Sequence, residues 1–196
     1  MARSANRIGI LGGTFDPVHN GHLALARAAR DQLGLDQVYM LLSPLSPFKV
    51  DKNLTPLPDR LAMLTLAIEG EEKISVGDWE LKRRGPSTTV VTLAQYMKKN
   101  PAHELFLILG SDALERFHEW KNPEKILKMV TLVIGRRPGR PLKVANLEGR
   151  MFFLSGVFPE TSSSAIRYGV SLGRTPKDVP LPVAHYIKAR HLYEKQ

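Results

Sequence analysis

An α/β fold with a doubly wound, mostly parallel sheet is predicted by three observations. Short apolar runs alternate with stretches of helical periodicity along the whole chain, the strand candidates are separated by helix candidates, and a glycine-rich run joins the first strand candidate to the first helix candidate. Strands connected through helices imply right-handed crossovers, which put helices on both faces of a parallel sheet.

Taken in order, Ile8 to Leu11 reads as a buried strand, and Leu23, Ala24, Ala26, Arg27 and Ala28 begin a helical pattern. Val38 to Leu42 is a second strand. Pro58 to Ile68 is a helix with Leu61, Leu64, Ala67 and Ile68 on one face, closed by Gly70. Ile74 to Trp79 alternates like a shorter strand, and Ser87 would cap a helix carrying Val90, Leu93, Ala94 and Met97. Leu105 to Leu109 is the most apolar strand candidate, ended by Gly110-Ser111-Asp112. Ile126 and Leu127 close a short helix, Val130 to Ile134 and Met151 to Leu154 are further strands, and helices from about Ser164 and Pro182 finish the chain. This is the Rossmann-like pattern. Two long connections interrupt it, Ser43 to Pro56 and Arg137 to Arg150, and loops of that length in a compact domain usually serve function.

The length of 196 residues with 43% hydrophobic content suits one domain spanning 1–196. No stretch approaches the roughly 20 apolar residues of a membrane span, and Met1 to Arg7 has no apolar signal-peptide region, so a cytoplasmic protein without membrane contact is expected. The absence of cysteine excludes disulfides and thiolate zinc sites. A formal charge of +9 suits anionic substrates, which a positive cleft concentrates. Nucleic acid is not the expected partner: Lys82-Arg83-Arg84, Lys98-Lys99 and Arg136-Arg137 are short clusters without interleaved aromatic residues. Self-association into a homo-oligomer is left open.

The run Gly12-Gly13-Thr14-Phe15-Asp16-Pro17-Val18-His19-Asn20-Gly21-His22 lies at the strand-to-helix turn, where α/β sheets bind nucleotides. Adjacent glycines let backbone N–H groups approach phosphate oxygens, and the following helix presents its unpaired N–H groups and positive dipole end. His19 and His22 are spaced so that one can sit in the loop and the other in the first helical turn, both facing one phosphate. No metal is assigned to them, because the pattern lacks a third ligand and the glutamate of an H-E-x-x-H zinc site. Near the other end, Thr161-Ser162-Ser163-Ser164-Ala165-Ile166-Arg167 opens a helix with hydroxyls, free N–H groups and an arginine able to make forked contacts with phosphate.

The first run resembles the T/H-x-G-H signature of the nucleotidylyltransferase superfamily, and Thr161 to Arg167 resembles that superfamily's I-S-S-T-x-I-R element. Glu80-Leu81-Lys82-Arg83-Arg84-Gly85-Pro86-Ser87-Thr88-Thr89 resembles E-L-x-R-x-G-P-S-Y-T of the bacterial nicotinate mononucleotide adenylyltransferases. Gly110-Ser111-Asp112-Ala113-Leu114 through Phe117 and Trp120 resembles their G-x-D-x-L…F…W, and Arg136-Arg137-Pro138-Gly139 matches a further element. Phe48, Ser46 and Thr88 stand where that family usually has histidine, proline and tyrosine.

The resemblance implies ATP, with Mg²⁺, and nicotinate mononucleotide as co-substrates, giving the dinucleotide and pyrophosphate. It implies that His19, His22, Lys49 and Arg167 donate to the reacting phosphates. Gly12, Gly13, Thr14, Phe15, Gly110, Asp112, Ser162, Ser163 and Ser164 would bind the nucleotide, the part from about 161 completing the ATP site. Asp112 would hold a ribose hydroxyl or help position the metal-bound nucleotide, and could cap a helix at the same time. Trp120 would stack on the pyridine ring, while the backbone N–H groups of Thr89 and Lys121 meet its carboxylate. The alternatives are another adenylyl- or cytidylyltransferase, such as phosphopantetheine adenylyltransferase, and a non-catalytic nucleotide- or RNA-binding module.

Overall fold

In the computed structural model, the described residues are 5–44, 54–81, 88–136 and 147–194. Lys49, Ser46, Phe48 and the Lys82-Arg83-Arg84 cluster lie outside them, as does Ser87. Six strands, β1 (Arg7–Gly13), β2 (Gln37–Leu42), β3 (Ile74–Gly77), β4 (Glu104–Gly110), β5 (Thr131–Gly135) and β6 (Met151–Leu154), form one sheet in the order β3-β2-β1-β4-β5-β6. Every pairing is parallel, with Ile10 opposite Tyr39 on one side and Leu107 on the other. The chain therefore winds outward from β1 in one direction, returns to β4, and winds outward in the other. The reversal leaves a crevice at the carboxyl ends of β1 and β4, where open α/β sheets bind ligands.

Helices α1 (Asn20–Leu33), α2 (Leu57–Ala67), α3 (Thr89–Lys99), α4 (Ser111–Glu115), α5 (Pro123–Met129), α6 (Ser163–Ser171) and α7 (Leu181–Ala189) cover the sheet. Alternate residues of the central strands feed two cores. Phe106, Ile108 and Val133 pack with Leu23 and Ala26 of α1, Met63 and Leu64 of α2, Ile166 of α6 and Ile187 of α7. Leu107, Leu109, Leu132 and Ile134 pack with Val90 and Leu93 of α3, Phe117, and Ile126 of α5. Burial on both faces explains why these strands read as continuous apolar runs.

The doubly wound parallel arrangement agrees with the sequence expectation, and local departures have identifiable causes. α1 starts three residues before Leu23, because its first turn, Asn20-Gly21-His22, carries no apolar signal. The N-cap of α3 is Thr88, in extended backbone. α4 follows β4 directly with Gly110 as its N-cap, which places Asp112 inside the first turn rather than at the cap. Five residues are too few to show a period. On α2, Leu61 and Ile68 are only half-buried, while Asp59 and Arg60 are buried with Met63 and Leu64. Their charges have partners that helical spacing cannot reveal.

Gly135 ends β5 opposite Gly110 of β4. A Cβ there would lie 1.9 Å from Leu25 Cδ2 and 3.6 Å from Phe158 Cδ2. Gly135→Ala is expected to cost about 1–3 kcal/mol by overpacking, read as a lowered denaturation midpoint. Among the described residues, no helix is long and apolar enough to cross a membrane.

Candidate active site

Two cavities open at the carboxyl ends of β1 and β4 and share Gly12 and Trp120 in their walls. The first, about 390 Å³, is lined by Gly13, Thr14, Ser43, Glu80, Thr89 and Lys121 together with apolar residues. The second, about 260 Å³, is lined by His19, His22, Gly110, Asp112 and Ser162 to Ser164, with Leu25 and Gly135 in its wall. The tertiary structure thus brings residues from near 12, 110, 120 and 162 to one crevice. Phe15 and Arg167 are not among the described residues lining either cavity; Phe15 is buried within the first loop, and Arg167 donates to that loop's backbone at Asp16.

His19 is the N-cap of α1 and His22 its third helical residue, which matches one imidazole in the loop and one in the first turn. Their rings stack with centroids 3.6 Å apart and planes 22° apart. The backbone N–H of His19 donates to His22 Nδ1 at 3.2 Å. An accepting Nδ1 puts the proton of neutral His22 on Nε2. Phe15 presses its ring edge against His22 at 5.0 Å and 79°. It does so from a backbone φ of 45°, in the left-handed region that a bulky residue occupies only when its surroundings hold it there.

What holds this loop is a layer of buried polar groups below it. Arg60, 2% exposed, donates from Nε to Thr55 O, from Nη1 to Thr14 O and Ser43 O, and from Nη2 to Pro44 O, each at 2.9 Å. One guanidinium therefore ties the loop after β1 to the connection after β2. Burial lowers its pKa from the usual arginine value, and nearby Asp16 opposes that shift. Arg167 Nη1 donates to Asp16 O at 2.7 Å, and Ser163 Oγ donates to Pro17 O at 2.9 Å.

The serine run is accordingly less free than a row of exposed hydroxyls. Ser162 Oγ accepts the Ala165 N–H as a helix cap, and Ser163 turns its hydrogen to Pro17. What α6 presents to the second cavity is chiefly its first-turn N–H groups, the Ser162 hydrogen and the exposed Ser164.

In the first cavity, Thr89 is the first residue of α3, where helical N–H groups lack partners within the helix. The Trp120 ring rests against Phe117 at 5.3 Å. Glu80, 5% exposed, accepts the Thr92 hydroxyl at 2.7 Å. Helical or strand periodicity does not single out Glu80, Asp16 or Arg60; a charged residue between apolar neighbours is the only local sign of Glu80 and Asp16, and Arg60, which follows Asp59, lacks even that. Among the described residues, no group of three or more His, Asp or Glu side chains could hold a metal ion.

Comparison with known proteins adds to this geometry. Residues 10–169 match the cytidylyltransferase-like family model. A Bacillus cytotoxicus protein named "Probable nicotinate-nucleotide adenylyltransferase" is 40% identical over 193 residues, covering 96% of this chain and 98% of that one. A Dehalococcoides mccartyi protein of the same name is 38% identical over 200 residues, with 97% and 98% covered. Among solved structures, the Plasmodium falciparum nicotinic acid mononucleotide adenylyltransferase complexed with NaAD has the same fold. Its TM-score is 0.80 at 21% identity, over 96% of this chain and 97% of that one. The phosphate-loop signature, the all-parallel sheet reversing at β1 and β4, and relatives matched over nearly their whole length agree: the chain belongs to the nicotinate-nucleotide adenylyltransferase family of cytidylyltransferase-like nucleotidyltransferases.

Proposed function

We propose that the chain transfers the adenylyl group of ATP to nicotinate mononucleotide, giving nicotinate adenine dinucleotide and pyrophosphate in NAD biosynthesis. The observation that carries this reading is the pair of cavities meeting at Gly12 and Trp120, one walled by the histidines and α6, the other by Thr89, Trp120 and Lys121. Two mononucleotides seated in them would point their phosphates at the same loop. The names of the relatives and the Plasmodium falciparum enzyme's complex with NaAD support the same pairing.

The 5′-phosphate of the acceptor attacks the α-phosphorus of ATP in line. The oxygen–phosphorus bond to pyrophosphate breaks as the new anhydride bond forms. The nucleophile is already an anion, so no covalent enzyme intermediate is needed, and catalysis is positioning and neutralisation of charge. His19, His22, Lys49 and Arg167 supply donors where negative charge builds up. Gly12, Gly13 and Thr14 approach the phosphates through backbone, Phe15 supports His22, and Gly110, Asp112 and Ser162 to Ser164 hold the rest of ATP. The segment from about 161 completes this site within one domain.

Mg²⁺ fits as a companion of the triphosphate. The second cavity is lined by one carboxylate, Asp112, among neutral donors, so phosphate oxygens and water would supply most of its ligands. When bound, the ion neutralises charge on the leaving pyrophosphate. Nucleic acid is not part of this reading, and a chain without cysteine suits the reducing cytoplasm, where we place the reaction.

Pyrophosphate release from Mg-ATP, measured with nicotinate mononucleotide, its amide analogue or phosphopantetheine as acceptor, tests the assignment. Release with nicotinate mononucleotide is expected, and no release with either pyridine nucleotide overturns it. Trp120→Ala is expected to raise KM for the acceptor about tenfold, since stacking on an aromatic ring contributes about 1–3 kcal/mol. An unchanged KM would remove the indole from the pyridine site.

A further inference from the structure

The C-terminal turn beyond α7 reaches back under the phosphate loop. Tyr193 donates its hydroxyl to Asp16 Oδ1 at 2.8 Å, across 177 positions of sequence. Asp16 is 1% exposed and precedes His19 by three residues in the loop that carries both imidazoles. Its other carboxylate oxygen lies 3.4 Å from the Thr55 N–H and 4.0 Å from Arg167 Nη1, whose guanidinium also donates to the Asp16 carbonyl. Further along the loop, Ser163 binds the Pro17 carbonyl and the Asn20 N–H donates to Asp178 O at 2.9 Å. The last third of the chain therefore fastens residues 16, 17 and 20.

From these contacts we propose that Tyr193 is a positioning residue of the nucleotidyl-transfer site, acting through Asp16 to hold the histidine loop and Arg167 in register. The inference rests on the adenylyl-transfer reading above. The phenol suits this role because burial, and then the Asp16 carboxylate, push its pKa well above the usual tyrosine value. It therefore remains a neutral donor, and the Asp16 charge is left to face Arg167. The tail also adopts left-handed backbone at His191 (φ 51°) and Tyr193 (φ 67°). Such residues persist where surrounding contacts over-determine them. The contacts here include the Asp16 bond, the approach of the hydroxyl to Met63 Sδ at 3.9 Å, the Leu192 N–H donating to Ile187 O at 3.0 Å, and packing of Leu192 against the core.

Tyr193→Phe keeps the ring and removes the donor. A loop displaced by a fraction of an ångström loses rate without losing fold, and misplacement of about 1 Å can cost on the order of 10²-fold. The expected result is about a tenfold lower kcat/KM for Mg-ATP. KM for nicotinate mononucleotide should stay within about twofold, because Thr89 and Lys121 line the first cavity and the histidines the second. In an Asp16→Ala background, which removes the acceptor, the same substitution should add nothing further, as expected of two residues acting through one bond. Leu192→Ala, which loosens the tail's packing but leaves the hydroxyl, serves as the structural control.

Unchanged kinetics in folded Tyr193→Phe overturns the proposal. So do losses that fall equally on both substrates in parallel with Leu192→Ala, or losses that add fully to those of Asp16→Ala. Should Tyr193→Phe not fold, Asp16→Ala must by itself show the split between ATP and acceptor, and its absence overturns the proposal. If the wild-type chain releases no pyrophosphate, the adenylyl-transfer reading fails independently. Calorimetric affinities of wild type and Tyr193→Phe for a non-hydrolysable ATP analogue then decide the role of the tail, equal affinities overturning it.

Discussion

His22→Ala is expected to slow pyrophosphate release by on the order of 10²–10³-fold, the usual cost of losing one preorganised donor to a developing charge. His22 is held on three sides. Its ring stacks on His19, Phe15 meets it edge-on, and its Nδ1 is occupied by the His19 backbone N–H. A group fixed in this way needs no reorganisation as charge builds up on the phosphates, so its donor is worth more than a freely rotating one. The substitution also removes one N-terminal hydrogen bond of α1, a stability loss of about 1 kcal/mol that leaves the chain folded. Turnover and circular dichroism measured on the same preparation separate the two effects. Near-normal turnover in a folded variant would take His22 out of the reaction.

The second large effect falls on stability. Arg60→Met is expected to cost about 3–5 kcal/mol, as does removal of one partner from a buried charged network. Methionine replaces much of the arginine stem but returns no donor to Thr14 O, Ser43 O, Pro44 O or Thr55 O. The bonds to Thr14 O and Thr55 O are buried and those to Ser43 O and Pro44 O part-buried, and each acceptor orphaned away from water carries a desolvation cost. Asp16 also loses its electrostatic interaction with the buried Arg60. Denaturant titration reads the loss. A change below about 1 kcal/mol would mean that the loops after β1 and β2 are held by other contacts.

The contrast between His22 and Arg60 shows how far local sequence reaches. His22 stands in a run whose chemistry is local: glycines after an apolar strand, two imidazoles three residues apart, and a helix beginning between them. Each part could be read in place. Arg60 stands in a helix whose apolar face was expected to be Leu61, Leu64, Ala67 and Ile68, and nothing within one turn marks it as buried. Its acceptors include carbonyls 46 and 17 residues away. Ser163 differs again: its position at the start of α6 was legible, but not that its hydroxyl would turn away to Pro17, 146 residues back.

By itself the sequence determined the alternation of strands and helices, the parallel doubly wound sheet, the glycine- and histidine-bearing loop at the strand-to-helix turn and the family resemblance. These follow from hydrophobic period and short-range residue order, which are properties of neighbouring positions. Only the tertiary structure decided that Gly12 and Trp120 stand in the walls of both cavities, and that Glu80 is buried beside one of them. It also decided that Asp16 is gripped from below by a tyrosine at the far end of the chain. Those outcomes depend on which elements pack together and on where a buried polar group finds its partner, and neither is encoded within one helical turn or one strand.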